Sequence, residues 1–200
     1  MNSTVTPSSR QQIRQHIRTL RRGLNTQQQD SAAQGLLSQC QQSAWFSHAQ
    51  HIALYLSNDG EVSTQPIIEW LWQQGKQVYL PVLHPFSRGH LLFLRYCSDT
   101  LMVNNRYGIS EPRLDVRLVK PASELDLICT PLVAFDNTGQ RLGMGGGYYD
   151  RTLAPWHQAR LLPRPLGLAH DCQQVSALPH EAWDVPLPTI LTPSQTFNWE

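Results

Sequence analysis

Between residues 10 and 24, Ile13, Ile17, Leu20 and Leu24 recur at the spacing that lines one face of a helix with apolar side chains. Arg10, Arg14, Arg18 and Arg21 repeat beside them with nearly the same period, so this basic stripe flanks the face expected to be buried. A glutamine-rich stretch predicts a second helix over residues 27–42, with Gly35 inside it and weaker periodicity. The pattern then changes. "HIALYLS", residues 51–57, reads as a buried strand, followed by the turn "NDGE", a helix over 64–74 with Pro66 in its first turn and Gly75 as its stop, and the strand "QVYLPVL". A helix between two strands predicts that they run parallel. "HLLFLRY", residues 90–96, follows the turn-forming "PFSRG" and is expected to pair antiparallel as a hairpin partner.

"LDLICTPLVAFD", residues 125–136, predicts a strongly apolar strand that ends in the loop "DNTGQRLGMGGG", after which "YYDRTLAPWHQ" starts a helix. "PLGLAH", residues 165–170, is the last strand the pattern predicts, and the proline-rich tail over 179–193 is expected to wrap the surface. Strands alternating with helices predict an α/β fold: a three-layer α/β/α domain with a mostly parallel, mixed central sheet, Rossmann-like, with residues 1–200 forming one domain. In such folds ligands gather outside the carboxyl ends of the parallel strands. Three loops are expected to meet there: "NDGE", "NRYGISEP" and the glycine-rich loop.

Composition narrows the partners. The chain has 200 residues, 40% of them apolar, enough for one sizeable core, and a formal charge of +1 that gives no global pull toward nucleic acid or an anionic membrane. No stretch approaches the roughly 18 consecutive apolar residues of a membrane span, and "MNSTVTPSSRQQ" lacks the apolar centre of a signal peptide, so a cytoplasmic protein is expected. Cys40, Cys97, Cys129 and Cys172 lie far apart, without zinc, haem or dithiol spacing. His48 and His51 have no accompanying cysteine or carboxylate to make a metal site.

The densest chemistry lies in "RLGMGGGYYDR", residues 141–151. Glycines let backbone N–H groups turn toward an anion, and a helix starting beside them adds the positive end of its dipole. "GMGGGY" is not the dinucleotide fingerprint, because Tyr148 stands where the third glycine belongs, and it lacks the G-K-[ST] ending of a Walker A loop. Arg141 and Arg151 nevertheless flank it as phosphate-binding cations, and Asp150 is a carboxylate able to hold Mg²⁺. By itself the arginine stripe of the first helix reads as a solvated edge, but a phosphate site nearby would give it a purpose.

The stretch "TPLVAFDNTGQRLGMGGGYYDRTL" closely resembles the signature P-x-x-A-F-D-x-x-G-x-R-L-G-x-G-x-G-Y-Y-D of 5-formyltetrahydrofolate cyclo-ligases. "RQQIR", "YLSNDGEVST", "YGISEP" and "HEAWDVPLPTILTP" extend the resemblance over roughly residues 10–192. It implies an ATP- and Mg²⁺-dependent enzyme that converts 5-formyltetrahydrofolate to 5,10-methenyltetrahydrofolate, releasing ADP and phosphate. It further implies that Arg10 and Arg14 grip the ATP phosphates, and it speaks less directly to Arg18 and Arg21. Arg141, Leu142, Gly143, Met144, Gly145, Gly146, Gly147, Tyr148 and Tyr149 would wrap the triphosphate, with Met144 to Tyr148 also reaching the formyl end of the folate. Leu56, Glu61 and Tyr107 would line the folate pocket, Glu61 accepting from pterin N–H groups and Tyr107 stacking on flat rings. Asp150 and Asp184 would bind Mg²⁺, and Arg141, Tyr148 and Asp150 would be catalytic. Some relatives carry a basic residue inside the loop where this chain has Met144 and Gly146, which shifts the cationic duty to Arg141 and the helix arginines.

The partners implied are ATP and the folate, with no nucleic acid, no membrane, and a monomer expected. Two other classes fit parts of the pattern. A regulatory module would bind the nucleotide without turnover, and an RNA-binding protein would use the arginine helix, though no RNA-recognition motif accompanies it.

Overall fold

The computed structural model describes residues 9–159 and 163–199. Its centre is an eight-stranded sheet in the order β12-β11-β10-β7-β1-β2-β3-β6, with β1 His51–Ala53, β2 Gln77–Leu83, β3 Leu91–Tyr96, β6 Val119–Lys120, β7 Leu127–Pro131, β10 Arg164–Leu168, β11 Thr189–Leu191 and β12 Thr196–Asn198. The middle strands β11, β10, β7, β1 and β2 are parallel, while β3 and β12 run antiparallel to their neighbours. Two small antiparallel ribbons stand apart from it: β4 Met102–Asn104 with β5 Ser110–Pro112, and β8 Ala134–Phe135 with β9 Arg141–Leu142.

Strand periodicity makes the layers. Ile52, Val78, Leu127, Cys129 and Leu191 point into a core shared with α2 Thr26–Gln42, α3 Ala44–His48 and α4 Gln65–Gln73. Their alternates Ala53, Tyr79, Ile128 and Ile190 point into a second core, shared with Leu153 and Trp156 of α5 Tyr148–Ala159. The result is the three-layer α/β/α arrangement with a mostly parallel mixed sheet. A third cluster packs Ile13 and Ile17 of α1 Arg10–Arg22 on Val133, Ala134 and Leu142.

Four local expectations are corrected. The buried face of α1 is Ile13, Ile17 and Arg21, not the predicted apolar row: Leu20 is 42% exposed, whereas Arg21 is 0% exposed. Arg21 tolerates this because its guanidinium donates to the Asp59 carbonyl and carboxylate and to the Leu132 carbonyl. The predicted strand over 51–57 forms ladder only at His51–Ala53, although Leu54 N still donates to the Tyr79 carbonyl. The strand predicted over 125–136 divides into β7 and β8. The chain leaves the sheet at Leu132, whose carbonyl accepts from Arg21 and Gln173 side chains instead of a neighbouring strand. Finally, the tail is not only a surface wrap. Thr189–Leu191 is wholly buried and pairs parallel with β10, a short strand that the flanking prolines conceal in the sequence. Gly35 also finds a reason: an added Cβ would lie 3.0 Å from Pro193 of that tail.

Candidate active site

Strand order decides where a ligand can bind. The chain passes from β1 through α4 to β2 on one side, while β7, on the other side of β1, leads outward to β10. The carboxyl ends of β1 and β7 therefore diverge at a topological switch point, which opens a crevice. Residues 54–61 leave the first strand there and residues 132–147 leave the second. The crevice deepens into a cavity of about 870 Å³, whose lining includes Arg10 and Arg14 of α1, Leu56, Glu61, Tyr107, Arg141, Gly143 to Asp150, and Asp184.

The glycine loop is delivered by the β8–β9 hairpin. Buried Asp136 holds that hairpin: its Oδ1 accepts from Thr138 N at 2.9 Å and Thr138 Oγ1 at 2.7 Å, and its Oδ2 from Leu178 N at 2.9 Å. Beyond the hairpin, Gly145 and Gly147 adopt φ of +100° and +65°, the left-handed region that a side chain resists. Gly146 is needed for space, since a Cβ would meet the Tyr148 ring at 2.8 Å. Helix α1 closes over the loop, Arg14 Nε donating to the Gly143 carbonyl at 2.8 Å.

Arg141 stands at the base, 5% exposed, with Nη2 donating to Asp150 Oδ1 at 2.6 Å. Its buried Nε has no partner among the described residues. Burial pushes its pKa down, although Asp150 and Asp184 oppose this. Arg14 is likewise lowered by burial and by neighbouring Arg10. At the rim, Arg10 forks onto Asp184 with Nη1 to Oδ2 at 2.5 Å and Nη2 to Oδ1 at 3.1 Å, an arrangement that raises Arg10. Burial alone would raise Asp184; the Arg10 pairing and the Glu181 N–H together hold it below the usual range. Arg10, Arg14 and Arg141 thus bring three guanidinium groups to the same cavity as the glycine loop, Arg10 and Arg141 pairing there with Asp184 and Asp150 and Arg14 with no carboxylate among the described residues, a cradle for an anion.

Apolar side chains also line the cavity, Leu56, Leu80, Pro81 and Ile109 among them. Tyr107 crosses Tyr148 edge to face, their hydroxyls 3.1 Å apart, and Arg106 Nη2 donates to the Tyr148 hydroxyl at 2.6 Å. Glu61 accepts from Asn58 N at 3.1 Å and lies 4.0 Å from Arg21 Nη1. Burial raises its carboxyl to about 7, more than these contacts can offset.

The model of the 5-formyltetrahydrofolate cyclo-ligase family matches residues 6–193. This chain belongs to that family. It is 53% identical over 183 residues to the 5-formyltetrahydrofolate cyclo-ligase of Escherichia coli K12, covering 92% of this chain and 100% of the relative. The Haemophilus influenzae cyclo-ligase is 54% identical over 182 residues, covering 91% and 96% of the two chains. Among solved structures, the Aquifex aeolicus 5,10-methenyltetrahydrofolate synthetase superposes with a TM-score of 0.80 at 26% identity, covering 95% of this chain and 92% of its own.

Within this cyclo-ligase fold, one residue expected at the ATP site sits elsewhere. Leu142 is buried in the cluster with Ile13, Ile17, Val133 and Leu178, because alternation along β9 turns it away from the cavity that Arg141 faces. Nor do Arg18 and Arg21 reach the cavity lining; both are bonded to Asp59. Asp59 and Asp136 were missed. The signal for Asp59 was the dipeptide Asp-Gly after a strand, which marks a tight turn but not what its carboxylate binds.

For a divalent cation the fit is partial. No group of three or more His, Cys, Asp or Glu suited to a metal exists among the described residues. Both oxygens of Asp184 are engaged by Arg10, but Asp150 Oδ2 accepts no hydrogen bond among them. One open carboxylate beside an anion cradle suits Mg²⁺, which takes most of its ligands from phosphate oxygens and water.

Proposed function

We propose that this chain converts 5-formyltetrahydrofolate to 5,10-methenyltetrahydrofolate, with ATP cleaved to ADP and phosphate, as a cytoplasmic monomer of one domain. The observation that carries the ATP part of this reading is buried Arg141: a guanidinium with an Nε unpartnered among the described residues, facing the same cavity as a glycine loop and three further arginines, Arg10, Arg14 and Arg151. A buried, incompletely satisfied cation is costly unless an anion completes it.

The chemistry follows from the substrate. Delocalisation of the N5 lone pair makes the formyl carbon a poor electrophile, so N10 cannot readily close the ring. The formyl oxygen attacks the γ-phosphorus of ATP, and the bond from that phosphorus to the ADP oxygen breaks. N10 then adds to the phosphorylated formyl carbon and loses its proton. Cleavage of the carbon–oxygen bond releases phosphate and leaves the cationic methenyl bridge. Both stages need alignment and charge stabilisation more than a protein nucleophile.

In this reading Arg10, Arg14 and Arg141 neutralise the triphosphate while N–H groups of residues 143–149 cradle it. Glu61 orients the pterin, Leu56 and Tyr107 cover its faces, and the Tyr148 hydroxyl donates toward the formyl end. Asp150, with Asp184 through water, would hold Mg²⁺, which when bound supplies charge shielding between the phosphates. Purified protein given ATP, Mg²⁺ and 5-formyltetrahydrofolate is expected to generate the near-ultraviolet absorbance of the methenyl product. The signal should vanish when ATP is omitted. A folded protein that produces none defeats the proposal.

A further inference from the structure

Asp59 is the only non-glycine residue with positive φ among the described residues, at +54°. Three arginines of α1 hold its carboxylate. Arg18 Nε donates to Oδ2 at 2.6 Å, Arg21 Nη2 to Oδ2 at 2.7 Å, and Arg22 pairs with Oδ1. Arg21 Nε also takes the Asp59 carbonyl at 2.8 Å. Gly60 follows with φ +75°, so close to the helix that an added Cβ would stand 3.2 Å from the Arg21 carbonyl. Gln29 Nε2 then bonds that carbonyl at 3.1 Å. The next residue is Glu61, with Asn58 N donating to its Oε2. Burial opposes the charge on Asp59, but the guanidinium bonds outweigh it and hold the carboxyl well below the usual range.

The carboxylate is therefore saturated, although Asp59 lines the cavity beside Asn58 and Glu61. Its neighbours on α1 do not turn into the cavity, whereas Arg10 and Arg14, one to three turns earlier on the same helix, do. From Arg10 to Arg21 the helix is a strut of about 16 Å. Its first half is fixed to the opposite wall through Asp184 and the Gly143 carbonyl, and its last turn is fixed to the folate-side loop through Asp59. No other described ion pair joins α1 to residues 58–61 than those of Asp59 and the 4.0 Å Arg21–Glu61 approach.

We propose that Asp59 is a positioning residue that welds the loop presenting Glu61 to the helix presenting Arg10 and Arg14, so that nucleotide and folate each favour the other's binding through α1. The proposal rests on the substrate assignment made above. Ordering the helix over a triphosphate fixes the loop that carries Glu61, and ordering the loop over a pterin fixes the helix, so the effect is reciprocal. Asp59 would act through its arginines, which saturate its carboxylate, rather than on either substrate.

The test is Asp59→Asn, which keeps the side-chain shape and tolerates positive φ while removing the charge. The dissociation constant of 5-formyltetrahydrofolate is measured by calorimetry with and without a non-hydrolysable ATP analogue and Mg²⁺. The wild type is expected to bind folate at least about fivefold more tightly with the analogue present. In Asp59→Asn that ratio should fall toward one, and backbone amides of residues 58–61 should exchange hydrogen faster in the ligand-free protein. Contact between the two ligands, or a purely structural role that lowers only the melting temperature, would leave the ratio at its wild-type value and overturn the proposal. Should buried Arg21 prevent Asp59→Asn from folding, Arg18→Ala/Arg22→Ala removes two surface guanidiniums and should move the ratio in the same direction; an unchanged ratio there is equally fatal. Turnover of the wild type is followed alongside. If it binds both ligands without turnover, the proposed reaction fails while the ratio still judges Asp59.

Discussion

Glu61 has a side chain only 13% exposed, with Arg21 Nη1 no nearer than 4.0 Å. Its carboxyl is raised from 4.5 to about 7 by burial, so the folded state holds this proton more tightly than the unfolded chain. The sign follows from linkage: the associated stability is fully present below pH 4.5 and is lost as pH rises to about 7. Above that, an ionised Glu61 costs on the order of 3 kcal/mol. Glu61→Gln is therefore expected to raise the melting temperature at pH 8 by several degrees and to change it little at pH 4.5, while weakening folate binding by roughly tenfold or more. Thermal melts at the two pH values check this, and a lower melting temperature at pH 8 would contradict it. The sequence marked Glu61 through its family motif but gave no warning of its burial. Arg21 shows the same gap, since a periodic row of arginines looks alike whether each member faces water or core.

Among the elements, the glycine loop and α1 work as a pair. The loop owes its path to Gly145 and Gly147 at positive φ and to the Arg14 bond on Gly143. Gly147→Ala would impose a strained backbone costing about 1–2 kcal/mol and set a methyl 3.0 Å from Arg151 Nη1. Because residues 143–146 place no side chain in the core clusters, that cost should appear as nucleotide binding weakened by about tenfold, with the melting temperature lowered by only a few degrees. Titration with ATP and a melt distinguish the two. Unchanged ATP affinity would mean that the loop does not cradle the triphosphate. The loop's glycines and the helix starting at Tyr148 were legible in the sequence; the hairpin that aims them was not, because β8 and β9 are only two residues each.

For the whole molecule, the site joins segments from α1, the exits of β1 and β7, the β4–β5 region and the loop around Asp184, so ligand binding ties together parts far apart in the chain. ATP with Mg²⁺ at one hundred times its dissociation constant should stabilise the fold by about 2.7 kcal/mol. For a chain of 200 residues this corresponds to a melting temperature higher by roughly 5–10 °C. A thermal-shift titration tests it, with folate alone as a second arm. A shift with folate and none with ATP would remove the nucleotide from this cavity. Among the described residues no helix is long and apolar enough to cross a membrane.

The sequence by itself determined what periodicity and local chemistry can encode: the parallel β1–α4–β2 unit, the β2–β3 hairpin, the three-layer α/β/α arrangement, and the long motif around the glycine loop. Only the tertiary structure decided which strand β7 joins, that β11 is a strand at all, that Leu142 turns inward, and that Asp59 gathers three arginines. The physical reason is range. Helix and strand periods depend on neighbours a few residues away, whereas burial and the ion pairs that tie elements together depend on groups that the fold brings together from distant positions, as it does Asp59 and Arg22, 37 residues apart.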